Sequence, residues 1–235
     1  MDETRKIPNH IAIILDGNRR WARNKNIPTL QGHTAGAKNL EKIANYCSKI
    51  GVKYLTVYAF STENWKREKE EVDYLMKLFA KYINDFDRKF KDATARIRLA
   101  GDITRLPEYL QEKVKNIEER TKDNTGLTVN LCINYGGREE IVNATKILAE
   151  KVKNGELNID DINEEMISQN LRTGDAPDPD LFIRPGGETR LSGFLLWQSS
   201  YSELYFANPL WPDFNEEELE KAIDEFNKRK RRFGK

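Results

Sequence analysis

The chain has 235 residues, of which 38% are hydrophobic and 33% charged, so it can build one large α/β domain or two small ones. Its 39 basic and 38 acidic residues leave a net charge of +1, which argues against a general nucleic-acid binder. No apolar run is long enough for a membrane span or a signal peptide, so we expect a cytoplasmic protein.

Strands and helices are predicted to alternate along the chain. The first strand, residues 11–15, is a continuous apolar run, which is typical of a strand buried on both faces of a parallel sheet. The helix that follows has one apolar face and ends at Gly51. In chain order, the predicted strands are 11–15, 54–60, 96–100, 128–134, 181–184 and 203–206, and the predicted helices are 36–50, 68–90, 107–121, 138–153, 163–171 and 215–232.

This alternation predicts an α/β fold with a mostly parallel central β-sheet flanked by helices. No repeat or Gly/Ser linker divides the chain, so we expect a single domain over residues 1–235. The two cysteines, Cys47 and Cys132, lie among apolar neighbours without CxxC spacing, which predicts buried thiols rather than a disulfide or a zinc site. In parallel sheets, ligands bind beyond the carboxyl ends of the strands. Functional residues are therefore expected in the segments that directly follow the strands, the strand exits.

The first strand ends in Asp16-Gly17-Asn18-Arg19-Arg20-Trp21. A glycine here permits a tight turn, and a helix beginning directly after it would offer free N–H groups to a phosphate. Asp16 is the kind of oxygen ligand that magnesium prefers, and Arg20 presents a guanidinium to phosphate oxygens. Taken alone, the segment fits an ordinary turn followed by solvated arginines equally well.

The second strand ends in residues 60–67 (FSTENWKR), which offer a hydroxyl at Ser61, an amide at Asn64 and a cation at Arg67. These groups fit a substrate site, and they also fit a simple helix cap at Ser61 or Thr62. A further segment, Gly32 to Gly36, places His33 near a predicted helix start. A histidine there is either structural or a proton donor.

The fifth strand ends in residues 183–192 (IRPGGETRLS), where two arginines flank a pair of glycines. Glycines let backbone amides converge on an anion, and Arg184 and Arg190 would complete a cationic cup, with Ser192 beside it. A plain glycine turn accounts for the glycines but not for these three side chains. The sequence therefore favours an anion site at this exit.

Six segments together resemble the cis-prenyltransferase family, over nearly the whole chain from about His10 to Gly234. No single segment is decisive, but their combination and order are specific. They are HIAIILDGNRRWA, GHTAGA, YAFSTENWKR, NTGLTVNLCINYGGR, DLFIRPGGETRLSGFLLWQSSYSELYF and the terminal RRFG.

The resemblance implies a homodimer whose parallel sheet borders a hydrophobic tunnel. It also implies a magnesium-dependent reaction, in which isopentenyl diphosphate condenses repeatedly, head to tail and in cis geometry, onto an allylic diphosphate, usually farnesyl diphosphate. The expected product is a long polyprenyl diphosphate such as undecaprenyl diphosphate. No nucleic-acid partner is implied, and release of a lipid product is compatible with peripheral contact at the inner membrane face.

The resemblance also implies roles for individual residues. Asp16 and Asn64 are expected to be catalytic, and Asp16 and Glu203 to bind the metal. Arg232 and Gly234 are expected to reach the partner subunit's site. The expected tunnel residues are Ala37, Ala59, Ile83 and Leu127, with Leu127 at the floor. The expected substrate-binding residues are Gly17, Asn18, Arg19, Arg20, Trp21, His33, Ser61, Trp65, Arg67, Arg184, Arg190 and Ser192.

Three positions depart from the common family pattern. Thr29 stands where the family usually has an arginine, so one allylic-diphosphate contact is missing or comes from a neighbour such as Arg23. Thr189 replaces a histidine of many bacterial members, which puts an auxiliary metal contact in doubt. Arg19 replaces a glycine of many bacterial members, and other branches of the family share this arginine.

Three other functions compete with this interpretation. A catalytically silent partner subunit typically lacks the metal aspartate, which is present here as Asp16. A short-chain cis-prenyltransferase differs in only a few tunnel residues, so the sequence separates it poorly. A general phosphate-binding or phosphatase-like α/β protein would fit the strand exits alone.

Overall fold

A computed structural model describes residues 5–86 and 94–229 of the chain. Its six strands form one sheet in the order β3-β4-β2-β1-β5-β6, and every neighbouring pair is parallel. The predicted α/β fold with a mostly parallel sheet is therefore confirmed. The strands are β1 (His10–Ile14), β2 (Tyr54–Ser61), β3 (Arg96–Ala100), β4 (Thr128–Tyr135), β5 (Leu181–Arg184) and β6 (Glu203–Phe206).

Seven α-helices flank the sheet in the described part of the chain. A short 3-10 helix, Thr62–Lys66, also follows β2 directly and forms part of the site described below. The α-helices are α1 (Asn18–Asn24), α2 (Thr29–Ile50), α3 (Lys69–Asn84), α4 (Glu108–Thr121), α5 (Gly137–Lys153), α6 (Glu164–Gln169) and α7 (Glu216–Lys228).

The largest difference from prediction lies between β1 and β2. The helix predicted over 36–50 begins seven residues earlier, at Thr29 after Pro28, and α1 precedes it. Glycines lower helix propensity, so the two in GHTAGA suggested a helix start. They instead lie inside α2, which puts His33 within the helix rather than before it. The predicted ends of the helices over 68–90 and 215–232 fall partly outside the described residues.

The β1 strand is buried on both faces, as its apolar run predicted. Ile11 and Ile13 point into a large apolar cluster beneath α2, α3, α4 and α7, while Ala12 and Ile14 join a smaller aromatic cluster on the other face. Cys47 and Cys132 are buried free thiols, as expected. Among the described residues, no helix combines the length and apolar character needed to cross a membrane.

Candidate active site

A cavity of about 850 Å³ opens at the carboxyl ends of the strands and continues beneath the large apolar face of the sheet. Its polar end is formed by the exits of β1, β2 and β5, the three exits that the sequence singled out. Among the described residues, five arginines line it against three carboxylates. These charged residues are Arg19, Arg20, Arg23, Arg67, Arg184, Asp16, Glu41 and Glu63.

The β1 exit turns sharply into α1 through Gly17. This glycine has φ +104°, a left-handed conformation that side-chain-bearing residues rarely adopt, and an added Cβ would lie 2.8 Å from a Leu210 methyl group. Helix α1 then begins at Asn18, and Asp16 to Arg20 line the cavity. The tight turn predicted from the sequence therefore exists and carries the predicted phosphate-binding residues into the cavity.

Asp16 connects the β1 exit to the β5 exit. Its Oδ2 accepts a 2.8 Å hydrogen bond from Arg184 Nη2, and its Oδ1 lies 3.7 Å from Arg20 Nη2. Arg184, which is almost fully buried, also donates from Nη1 to Ser192 Oγ at 2.7 Å and to the Arg190 carbonyl. The two predicted anion sites are thus adjacent parts of one charge network around a single carboxylate.

At the β2 exit, the predicted helix cap is confirmed, and the substrate role of the same residues stays a prediction. Asn64 Oδ1 accepts a 3.1 Å hydrogen bond from the Ser61 N–H, and the Ser61 side chain accepts from the Asn64 N–H, which makes a reciprocal capping box. Ser61, Asn64 and Arg67 all line the cavity as well. Because its carbonyl oxygen caps the helix, Asn64 has its amide NH2 group left to donate to a ligand.

Glu71 is a site residue that the sequence analysis missed. It is 8% exposed at the start of α3, and its Oε1 lies 3.0 Å from Arg67 Nη1 and 2.9 Å from His33 Nε2. Its Oε2 lies 3.9 Å from Arg19 Nε. The carboxylate therefore joins two arginines, from α1 and the β2 exit, to a histidine of α2. The i, i+4 spacing from Arg67 was the available signal, but the surrounding EKEE run is typical of a solvated helix start.

His33 lines the cavity and is buried beside Glu71. Burial is the main cause that lowers the pKa of its imidazole below 6.5, and the bond to Glu71 only partly offsets this effect. The nearby Arg67 and Arg19 guanidinium groups lower it further. The lowered pKa favours the neutral imidazole, whose Nε2–H donates to Glu71, so the other ring nitrogen is left as a hydrogen-bond acceptor.

Three predicted substrate-binding residues are not among the described residues that line the cavity. Trp21 donates from Nε1 to Asp213 at 2.8 Å and so anchors α1 to the segment after β6. Trp65 donates to Asn134 at 2.7 Å. Arg190 is 63% exposed and pairs with Glu188, although its carbonyl serves Arg184. Direct substrate contact by these three side chains stays a prediction.

The structure does not bring Glu203 to Asp16 within one chain. Glu203 is the first residue of β6, at the opposite end of the sheet from the strand exits, and its carboxylate accepts a 2.8 Å hydrogen bond from Arg229. Its metal role stays a prediction that would need ligands from elsewhere, such as a second chain. Arg232 and Gly234 lie outside the described residues.

The inner part of the cavity is apolar. Of the predicted tunnel residues, Ala37, Ala59 and Ile83 line it, while Leu127 is buried just before β4 and is not among the lining residues. Leu127 continues the alternation of Val129 and Leu131, which do line the cavity, so its position at the floor stays a prediction. Apolar lining residues from the helices and outer strand include Leu40, Ala44, Leu75, Phe79, Ile97 and Ile117.

The residues at the polar end are compatible with magnesium. Mg²⁺ is usually held by one or two carboxylates together with substrate phosphates, and Asp16 is a carboxylate placed among phosphate-binding arginines. In the described part of the chain, no group of three or more His, Cys, Asp or Glu residues forms a complete metal cage. Asp16 would hold such an ion together with the oxygens of a bound diphosphate, and the ion would supply positive charge there.

Comparison with known proteins agrees with this geometry. The Prenyltransf family model, described as "Putative undecaprenyl diphosphate synthase", matches residues 14–234. An isoprenyl transferase of Clostridium perfringens is 52% identical over 97% of this chain and 90% of that protein. The (2E,6E)-farnesyl-diphosphate-specific ditrans,polycis-undecaprenyl-diphosphate synthase of Micrococcus luteus is 49% identical over 97% of this chain and 92% of that protein.

Two solved structures share the fold. Lavandulyl diphosphate synthase from Lavandula x intermedia, in complex with dimethylallyl diphosphate, superposes with a TM-score of 0.93 at 40% identity and covers 97% of this chain and 98% of its own. A probable undecaprenyl diphosphate synthase from Campylobacter jejuni gives a TM-score of 0.80 at 38% identity, with 98% and 100% covered. The chain belongs to the cis-prenyltransferase family. It is an enzyme that transfers prenyl groups in cis-prenyl chain elongation.

Proposed function

We propose that the chain extends farnesyl diphosphate by successive cis condensations with isopentenyl diphosphate, to give a product of undecaprenyl length. The observation that carries this proposal is a single cavity with an arginine-lined polar end and a long apolar interior. The polar end suits two diphosphates, and the interior suits the growing hydrocarbon chain.

In this proposal, the β1 exit binds one substrate and the β5 exit binds the other. Arg19, Arg20 and the N-terminus of α1 would hold the allylic diphosphate, and Arg184 with Ser192 would hold isopentenyl diphosphate. Asp16 lies between the two groups and keeps Arg184 oriented. Because negative charge grows on the leaving diphosphate, these fixed cations and N–H groups stabilise the transition state more than the bound substrate. Bound magnesium would supply further charge stabilisation at the same diphosphate.

Asn64 would orient the reacting groups through its amide NH2. An amide is not a base at neutral pH, so a diphosphate oxygen is the acceptor that we propose for the proton lost after condensation. The Asn64 side chain is ordered before substrate binds, because its oxygen accepts a hydrogen bond from the Ser61 N–H. The geometry of the bound carbon chain, rather than any one group, would set the cis outcome.

A shorter product is the main alternative, since lavandulyl diphosphate synthase has the same fold. The length of hydrocarbon chain that the cavity can hold distinguishes the two functions. Here the apolar lining extends from the strand exits to Ile97 on β3 and Ile117 on α4, which are contributed by the outer part of the sheet and the helix above it. A cavity that reaches this far favours a long product.

The test is an assay with Mg²⁺, farnesyl diphosphate and labelled isopentenyl diphosphate, in which products are resolved by length and double-bond geometry. We expect polyprenyl diphosphates with cis bonds, and loss of product with Asp16→Asn. A single condensation product, or coupling of dimethylallyl units instead, would contradict the proposed function. No incorporation with any allylic primer would exclude it.

The active unit is a homodimer in this proposal. The position of Glu203 supports it: this predicted metal residue lies far from Asp16 within one chain, so a metal site that used both would need a second chain. Light scattering over a range of protein concentrations should give twice the 27.3 kDa chain mass.

Subunit mixing tests whether Arg232 acts in the partner's site. Asp16→Ala and Arg232→Ala should each be inactive alone. If Arg232 serves the partner, a mixed dimer contains one intact site, and activity returns on mixing. If Arg232 serves its own chain, both subunits of the mixed dimer are defective and mixing restores nothing.

The proposed location is the cytoplasm, with peripheral contact at the inner membrane face when the lipid product leaves. A polyprenyl chain of this length is too apolar to cross water unaided, so release next to a bilayer is favoured. Vesicle flotation with and without bound product tests this contact. A protein that does not float even with bound product would contradict it.

A further inference from the structure

The exit of β4 holds a buried asparagine in an unusual conformation. Asn134 is 1% exposed and has φ +52°, a left-handed value that asparagine tolerates better than most residues. Its amide is fully used: Oδ1 accepts from Trp65 Nε1 at 2.7 Å, and Nδ2 donates to the Asp102 carbonyl at 2.7 Å. Its own carbonyl accepts from the Asp102 N–H at 3.2 Å. Asn134 therefore joins two neighbouring strand exits to Trp65.

Trp65 lies on the short helix Thr62–Lys66, between cavity residues rather than in the cavity wall. Its ring packs edge-on against Phe60 at 5.1 Å between centroids, and the Arg105 guanidinium lies over it at 5.3 Å. The neighbours of this tryptophan in sequence, Asn64 and Arg67, line the cavity. Because the Trp65 ring is held in place, it restrains the backbone that carries Asn64 and Arg67.

A second contact holds the other end of the same short helix. Gly136, two residues after Asn134, approaches Thr62 so closely that an added Cβ would lie 2.9 Å from Thr62 Oγ1. The β4 exit therefore contacts the short helix at its first residue and at Trp65. Both contacts come from a strand exit that contributes none of the predicted substrate-binding residues.

We propose that Asn134 is a positioning residue for cis-prenyl transfer, which acts through Trp65 to hold residues 61–67 in their working geometry before substrate binds. This inference rests on the proposed function, because it concerns the site that the proposal assigns to Ser61, Asn64 and Arg67. Preorganised donors act on a transition state without being reordered first, so loosening the segment lowers catalysis even when each group is still present.

Three variants and one matched control test the anchor. Asn134→Gly removes the amide while a glycine keeps the left-handed backbone without strain. Trp65→Phe keeps an aromatic ring and removes the donor, and the double variant completes the cycle. The control is Asn130→Ala on the same strand, because Asn130 is also buried but bonds to Thr56 at 2.9 Å, away from Trp65.

Two measurements are compared: hydrogen exchange over residues 61–67 in the substrate-free protein, and kcat/KM for both diphosphates. We expect faster exchange in Asn134→Gly and Trp65→Phe but not in the control. A misplacement of about 1 Å costs about 100-fold in rate, so a partial loosening should lower kcat/KM by about 10-fold to 100-fold. The double variant should be no worse than Asn134→Gly alone, because the Trp65–Asn134 bond that Trp65→Phe removes is already lost in Asn134→Gly.

Exchange and kcat/KM in Asn134→Gly that match those of the control would overturn the inference, as would fully additive losses in the double variant. If the wild-type enzyme itself made no polyprenyl product, the proposed function would fail instead. The exchange data would still show in that case whether Asn134 orders the segment.

Discussion

Glu71 shows how an anion can serve a site built to bind anions. It lies among Arg67, Arg19 and His33, and it is buried deeply enough for these contacts to be shielded from solvent. A carboxylate here reduces repulsion between the cations and holds Arg67 in one orientation. Glu71 is not among the residues that line the cavity, so it can order Arg67 and Arg19 without occupying the diphosphate positions proposed at the β1 and β5 exits.

Replacing Glu71 with glutamine should therefore impair catalysis without unfolding the protein. The amide keeps the side-chain length but loses the charge, so Arg67 and His33 are held less firmly. We expect kcat/KM for the allylic diphosphate to fall by about tenfold, which corresponds to about 1.4 kcal/mol. Glu70→Gln is the control, because Glu70 is the exposed neighbour on the same helix. Equal kinetics in the two variants would show that Glu71 has no positioning role.

Asn64→Ala separates binding from turnover at the β2 exit. The change removes the amide NH2 and also the oxygen that caps the Ser61 N–H. We expect kcat to fall by about 100-fold with a smaller change in KM, because the lost group acts in the transition state. Steady-state kinetics with both diphosphates provide the measurement. A raised KM with unchanged kcat would instead make Asn64 a simple binding residue.

At the scale of elements, a polar chain runs across the centre of the sheet. His10 on β1 accepts at Nε2 from the Thr56 hydroxyl on β2 at 2.7 Å, and Thr56 accepts from Asn130 on β4 at 2.9 Å. The other ring nitrogen of His10, Nδ1, donates to the Pro177 carbonyl at 2.6 Å. These bonds satisfy polar groups inside an otherwise apolar sheet and tie the segment before β5 to the three central strands.

This chain of bonds makes stability depend on pH. Burial is the main cause that lowers the pKa of His10 to about 4, while the Pro177 carbonyl and Asp180 oppose the shift. Since the unfolded value is near 6.5, the unfolded state binds more protons between pH 6.5 and 4, so stability falls as pH falls through this range. The loss should reach about 2 kcal/mol at pH 5. Above pH 6.5 the contribution is fully present.

Urea unfolding of the wild type and His10→Gln at pH 7.5 and pH 5 measures this contribution. The glutamine cannot titrate. The free energy of unfolding of His10→Gln should therefore fall less between pH 7.5 and pH 5 than that of the wild type. The difference between the two losses isolates His10 from the other titrating groups. The same loss in both proteins would assign the pH dependence to other residues.

At the scale of the whole molecule, the cavity couples the sheet to helices α2, α3 and α4. Polar groups gather where strands end, and the apolar interior lies between one face of the sheet and the helices that cover it. Chemistry thus stays at one end while the product grows away from it. The far wall, contributed by β3, β4 and α4, is the part that a growing chain meets last.

Opening this far wall should lengthen the product. Ile117→Ala removes a lining side chain of α4, and Leu127→Ala removes the predicted floor residue before β4. We expect both to shift the product distribution toward longer chains, measured by chromatography of the dephosphorylated polyprenols. Val114→Ala is the control, because Val114 is buried on the same helix but is not among the lining residues. If Ile117→Ala lengthens the product and Leu127→Ala does not, the floor of the tunnel lies at Ile117.

The sequence by itself determined the order of the strands, the order of the helices from α2 to α7, and the strand exits that carry polar groups. These are local properties: apolar periodicity identifies an element, and a polar cluster directly after a strand lies at its carboxyl end. Asp16, Ser61, Asn64, Arg184 and Ser192 were predicted in this way, and the structure brings all five to one cavity. The predicted start of α2 was wrong, because glycines inside a helix resemble a helix boundary and the sequence analysis had not predicted α1 before it.

Only the tertiary structure decided which distant residues support these groups. Glu71 with His33, Trp65 with Asn134, and Trp21 with Asp213 are pairs from different elements, and no spacing rule joins them. Glu203 differs from these pairs: the predicted strand over 203–206 already implied its place at the start of β6, and only its metal role came from resemblance. Periodicity reports which face of an element is buried. The partner that covers this face is set by packing across the whole chain.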